Sequence, residues 1–249
     1  MAASFEDART RNRSDAAMFP DTMWFMVKGA ANPASPQAQQ ALESLCRAYW
    51  EPIYAFIRRT GKSPHDAEDL TQRFFMHLLA DNRLEHAEPE KGKFRFFLQR
   101  SIKNFLVDDW RCKPAVERNG GLLEIDAEIG ETRYRHEPAD SLDPEKIFQR
   151  VWARKVMELA MARLRAEFAL AGTTGLFDHL HSFLPGNDPI CSRAEAAERL
   201  GMTSTALDTA FHRLKKRYRE LLRREIAETL DAPTKRDVEN ELCSLMRIF

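Results

Sequence analysis

The 249-residue chain sets 38 Lys and Arg against 38 Asp and Glu, so no overall field favours a polyanion and any nucleic-acid signal has to be local. Its four cysteines (Cys46, Cys112, Cys191 and Cys243) lie far apart with no C-x-x-C pair, which argues against a disulfide framework or a zinc site. Ten Gly, twelve Pro and abundant Ala, Leu, Arg and Glu predict an all-α protein, and the lack of an apolar leader or a membrane-length window predicts a soluble, cytoplasmic one.

Residues 1–18 are polar and are expected to be disordered. Thr22 is a candidate N-cap for a short apolar segment holding Met23, Trp24, Phe25 and Val27, and Asn32 to Pro36 is a turn-rich break. From Gln37 to Arg59, Leu42, Leu45, Cys46, Tyr49, Ile53, Phe56 and Ile57 recur at helical spacing, with Pro52 expected to kink or divide the helix. Gly61 ends it, and Ser63-Pro64 opens a second helix. Asp66, Glu68 and Asp69 then stand in its first turns, where the helix dipole favours negative charge and accounts for them without a partner. Leu70, Phe74 and His77 or Leu78 form its buried stripe, leaving Asp69, Gln72 and Arg73 outward. No His pair or second acidic cluster supports metal binding or acid–base catalysis there.

Lys93 to Lys113 reads as a helix with two faces at about 100° per residue. Phe94, Leu98, Ile102, Phe105 and Leu106 gather on one side, with Trp110 at their edge; Arg100, Lys103, Asn104, Asp108 and Arg111 gather on the other. Asp109 falls among the apolar residues and Val107 among the polar ones, so the division is imperfect. Cations suit phosphates, an amide suits a base edge and rings suit unstacked bases, although an ordinary solvated face would show the same stripe. Pro114 ends the helix. Residues 115–143 hold Gly120-Gly121 and Pro138 among Glu124, Asp126, Glu128, Glu131, Glu137 and Asp140, the composition of a flexible acidic linker.

Asp143-Pro144-Glu145 starts a long helix to about Leu170, with Phe148, Val151, Trp152, Val156, Leu159, Ala160, Leu164 and Phe168 on its stripe. Gly172 and Gly175 flank a turn, and a short helix carrying Leu176, Phe177 and Leu180 ends at Pro185-Gly186. Ser192 and Glu195 make a capping box for a helix ending at Leu200, Gly201 supplies a tight turn, and Thr203 caps a longer helix on which Leu207, Phe211, Leu214, Tyr218 and Leu221 repeat. Short helix, glycine turn and long basic helix are the marks of a helix-turn-helix. Ser204, Thr205, Asp208, Thr209, His212 and Arg213 can reach base edges, and Lys215, Lys216, Arg217, Arg219, Arg223 and Arg224 suit phosphates. After a break at Asp231-Ala232-Pro233, Val238, Leu242, Leu245 and Met246 predict a small terminal amphipathic helix that folds back.

In this order, the pieces resemble a bacterial RNA polymerase sigma factor of the extracytoplasmic-function (ECF) type. D-A-E-D-L-T-Q (66–72) resembles the region 2 motif that docks on the clamp coiled coil of the largest polymerase subunit. F-R-F-F-L-Q-R-S-I-K-N-F-L-V-D-D-W-R (94–111) resembles the part of region 2 that melts and reads the −10 element, and the helix-turn-helix at 192–222 resembles region 4.2, which reads the −35 element. The resemblance implies two helical domains, 19–114 and 144–230, joined by a linker at 115–143 and followed by a tail at 231–249. It implies core-polymerase contacts through Asp66, Glu68, Asp69, Gln72 and Arg73. It places −10 contacts at Arg95, Arg100, Lys103, Asn104, Asp108, Arg111 and Lys113. The −35 contacts fall at Thr203, Ser204, Thr205, Asp208, Thr209, His212, Arg213, Lys215 and Lys216. Partners would be core polymerase (the clamp, and the flap of the second-largest subunit), promoter DNA and an anti-sigma factor, with no cofactor, catalysis or membrane. Asp208 and Ala210 stand where relatives often carry basic residues, and Gly172 to Ile190 lacks the L-P-x-x-x-R-x-x-F pattern common in region 4. The runner-up is a stand-alone helix-turn-helix regulator with a helical dimerisation or sensor domain. An enzyme using His65, His77 or Cys112 has no organised constellation behind it.

Overall fold

Helix accounts for nearly all of what the computed structural model describes, namely residues 38–80, 84, 87, 93–111, 131, 134, 143–184, 187–230 and 232–248. The described helices are α1 (Ala38–Arg59), α2 (Pro64–Ala80), α3 (Phe94–Arg111), α4 (Pro144–Leu170), α5 (Thr174–Ser182), α6 (Arg193–Arg199), α7 (Ser204–Glu228) and α8 (Lys235–Met246), and no strand occurs among the described residues. The expected all-α class is what the chain adopts. The 1–18 segment, the Thr22–Val27 segment, the 32–36 break, Cys112, Lys113, Pro185-Gly186 and most of 115–143 lie outside the described residues, as do the side chains of Leu42, Trp110 and Arg111.

The helix starts follow local chemistry. The Ser63 hydroxyl accepts from the Asp66 backbone N–H at 3.1 Å and donates to the Asp66 carboxylate at 2.8 Å, so Asp66 serves the start of α2. The Asp143 carboxylate accepts from the Lys146 N–H at 2.8 Å ahead of α4. Pro52 neither ends nor divides α1. Its missing N–H removes one helical bond, but Tyr49, Ile53, Tyr54 and Phe56 around it are all buried, and that tertiary packing outweighs the local loss.

The described residues fall into two compact units, one drawn from Met1–Lys155 and Ile226–Phe249, the other from Val156–Glu225. In the first, an aromatic core joins four helices. Tyr49 of α1 meets Phe94 of α3 edge-on at 5.5 Å and stacks with Phe148 of α4 at 6.4 Å. Trp50 stacks with Phe75 of α2 at 6.1 Å, and Phe74 meets Phe105 of α3 at 5.6 Å. A polar ladder closes α3 against α4: Arg95 donates to Gln149 (2.9 Å), Gln149 donates to Gln99 (3.0 Å), and Gln99 donates to the Glu145 carbonyl (3.0 Å). α8 also belongs to this unit, holding Lys93 and Arg95 through the buried carboxylate of Glu241.

Two of the described linker residues, Glu131 and Tyr134, are fastened to α1. Glu131 accepts from the Tyr54 hydroxyl at 2.5 Å and from Arg58 at 2.9 and 3.1 Å, while the Arg58 guanidinium lies 4.9 Å from the Tyr134 ring centre. Tyr134 packs on Ala55, Ile147 and Val151.

In the second unit, α6 carries the expected capping box between Ser192 and Glu195, and hydrogen bonds from Ser192 hold the Glu195 carboxyl below its ordinary range. Gly201 takes φ +63° between α6 and α7, and nothing lies within 4 Å of where a Cβ would sit. The backbone sign alone therefore demands glycine. Gly201→Ala is expected to cost about 1–2 kcal/mol, read as a lower thermal midpoint of the second unit with the first unit unchanged. Leu207, Phe211, Leu214 and Leu221 of α7 are buried as the periodicity predicts, and Glu225 lies buried against Arg163 of α4.

Candidate nucleic-acid interface

Three helical faces carry the residues singled out by sequence. On α2, Asp66 and Asp69 are exposed, while Glu68, Gln72 and Arg73 are half-buried. Leu70, Thr71, Phe74, Phe75 and Leu78 lie beneath, so the face is set by the core rather than by its own charges. Arg73 donates to Asp69 at 3.0 Å and to Asp109 of α3 at 2.5 Å. That second bond explains why an acid sits on the apolar side of α3: Asp109 has a partner across the helix pair, and its side chain is only 12% exposed.

On α3, Arg100, Lys103, Asn104 and Asp108 are exposed, in steps that keep them on one side. Lys103 forms an ion pair with Glu145. Two apolar residues share this face, Phe96 at 48% and Val107 at 49% exposure. Phe96 is the residue that sequence reasoning passed over. Its ring is flanked by the Arg95 guanidinium at 4.7 Å and the Lys93 ammonium at 5.9 Å, an arrangement able to stack a base beside positive charge.

Arg95 departs from expectation. The resemblance places it among the −10 contacts, yet it is 5% exposed, paired with Glu241, bonded to Gln149 and stacked 4.3 Å over Trp152. The buried side of α3 is wider than its apolar stripe and takes in Arg95 and Gln99, which are one turn apart and answered by polar groups of α4 and α8.

On α7, Thr203 accepts from the Ala206 N–H at 3.2 Å as a cap, and Ser204, Thr205, Asp208, Thr209, His212, Arg213 and Lys216 are exposed. Lys215 is half-buried, its ammonium 4.7 Å from the Phe211 ring. Asp208 does not stand alone: Arg193 of α6 donates to it at 2.9 Å, so the acid is covered by a cation from the neighbouring helix. Arg217 is engaged with Glu167 at 2.6 and 2.8 Å and with Glu220 at 2.9 Å, which takes it out of the phosphate-facing set.

For chemistry the described residues offer little. Burial pushes the Cys46 thiol up to about 12, with Glu43 adding to the shift, which leaves it protonated and inert. His65 is exposed, and His77 lies against the Phe105 ring at 5.3 Å. His179 reaches only the Cys191 sulfur, at 3.9 Å, and no group of His, Cys, Asp and Glu able to hold a metal occurs among the described residues. None of their helices is long and apolar enough to cross a membrane.

An acid-led α2 and a cation- and amide-bearing α3 thus stand over one aromatic core. Residues 45–114 match the family model described as Sigma-70 region 2. Over 192 residues the chain is 25% identical to the ECF RNA polymerase sigma factor SigE of Mycolicibacterium smegmatis, a match covering 77% of this chain and 65% of that relative. The ECF sigma-factor resemblance read from 66–72 and 94–111 holds. No solved structure matches the chain.

Proposed function

We propose that the protein is a sigma factor that brings core RNA polymerase to promoters for transcription initiation. The observation that carries this reading is the coincidence of the sigma-70 region 2 match with two separate exposed faces on one core. The α2 face, with Asp69, Gln72 and Arg73 beside Asp66 and Glu68, is suited to docking on the polymerase clamp. The α3 face, with Arg100, Lys103, Asn104 and Asp108, is suited to the opened −10 strand, and Phe96 supplies a ring for an unstacked base; Arg111 and Lys113 join this set on the sequence alone. The Thr203–Lys216 surface of the helix-turn-helix is suited to duplex at −35, with domains 19–114 and 144–230 dividing the two tasks. Base stacking on an aromatic contributes about 1–3 kcal/mol, enough to offset much of the few kcal/mol that unstacking a base costs. The protein would act by binding alone.

The test is reconstitution: purified protein added to core polymerase, followed by run-off transcription on a promoter library. Promoter-specific transcripts that need both components are the expected result. Tight duplex binding at two-fold sites without polymerase, and no transcript with it, would instead favour the stand-alone regulator.

A further inference from the structure

Glu241 is fully buried near the C-terminal end of the chain, far in sequence from the two cations it holds, Lys93 and Arg95. Those cations stand at the start of α3, next to the exposed Phe96 ring and on the helix proposed to face opened DNA. A carboxylate between two cations beside an exposed aromatic occupies the position that a nucleic-acid phosphate would take beside a stacked base.

What fastens α8 there is slight. Its buried residues are Glu241 and Leu245; Val238 and Leu242 are half-buried, and Met246 is 64% exposed. A helix of twelve residues has little stability of its own, so its place depends on tertiary contacts, Leu245 and the Glu241 ion-pair cluster among them. A buried ion pair is little screened by salt, but its carboxylate can be replaced by another anion that meets the same cations. A permanent structural helix would ordinarily be set down on a broader apolar stripe.

We propose that α8 is an intramolecular lid over the cationic start of α3, with Glu241 standing in for a nucleic-acid phosphate until it is displaced. The proposal rests on the reading that α3 faces single-stranded DNA. Displacement frees Lys93 and the Arg95 guanidinium for backbone contact and leaves Phe96 open beside them. The closed form then holds weak affinity for DNA, and the open form adds two phosphate contacts.

The experiment uses the full chain and a fluorescent single-stranded oligonucleotide, with affinity measured by anisotropy across a salt series and hydrogen exchange followed over 235–246. Glu241→Gln and, separately, Leu245→Ala are each expected to raise exchange in α8 and to tighten binding about tenfold at low salt. Two new contacts should steepen the salt slope by roughly 1.4, at about 0.7 for each phosphate on a single strand. Adding Lys93→Gln to Glu241→Gln should return about half of that steepening. Should Glu241→Gln fail to fold, Leu245→Ala decides alone, because it leaves every charge in place. Looser α8 with affinity and slope at or below wild type overturns the lid. Arg100→Ala in the Glu241→Gln background separates the two possible failures. If it weakens binding while the lid variants gain nothing, the lid alone is wrong; if it changes nothing, the DNA-facing role of α3 falls and the lid with it.

Discussion

Asp69→Lys combined with Gln72→Ala is expected to abolish retention by core polymerase in a pull-down, while the far-UV circular dichroism and thermal midpoint stay near wild type. Asp69 is exposed, and its bond to Arg73 is a surface pair between adjacent turns, a kind worth about 0–1 kcal/mol. Arg73 keeps Asp109 when Asp69 is lost. Reversing the charge therefore costs little fold stability. Against a partner surface the same change removes an acid, inserts a cation and deletes an amide. Losing one member of an interfacial charge pair costs about 2–5 kcal/mol, roughly thirty- to several-thousand-fold in affinity. The helix-turn-helix is untouched, so duplex binding at low salt should stay within about twofold. Unchanged retention by polymerase would remove the docking role from 66–72.

The largest stability effect is expected at Phe74. The residue is fully buried and meets Phe75 at 5.9 Å and Phe105 at 5.6 Å, so it joins α2 to α3. Phe74→Ala removes a ring from a site that α1 and α3 hold open, and such truncations cost about 3–5 kcal/mol. With a urea slope of about 2 kcal/mol/M, the midpoint of the first unit should fall by roughly 1.5–2.5 M. Trp50 stacks on the neighbouring Phe75, so tryptophan emission reports the transition. A drop of less than about 0.5 M would mean that the aromatic core tolerates the cavity.

Apolar periodicity made most of the helices legible, because a stripe of Phe, Leu and Ile at helical spacing has no other way to hide. Ser63, Asp143, Ser192 and Thr203 marked helix starts that the hydrogen bonds bear out. Polar residues set within those stripes were harder to read. Glu241 lies between Val238 and Leu245 at helical spacing, and Arg95 follows Phe94 on the buried side of α3. Each interrupts an apolar row, and that interruption is a signal of a partner across an interface. The partner's identity is not written locally, since Lys93 and Glu241 meet only once the chain has folded. Of the two outcomes expected at Pro52, a kink or a division, the helix is not divided: the local cost is readable from sequence, and the surrounding burial that offsets it is not. The exposure of Phe96 was equally hidden, because a ring in an aromatic-rich run reads as core until its azimuth is known.

Arg73 is a single guanidinium divided between two helices, with Asp69 on the outer surface of α2 and Asp109 beneath α3. A cation that engages Asp69 competes with Arg73 for it, and the guanidinium then keeps Asp109. By thermodynamic reciprocity, a load on α3 that shifts Asp109 returns the same free energy to the outer surface. Any coupling carried by this shared guanidinium is bounded by the small worth of its exposed pair, about 0–1 kcal/mol, and would be the same whichever face is engaged first.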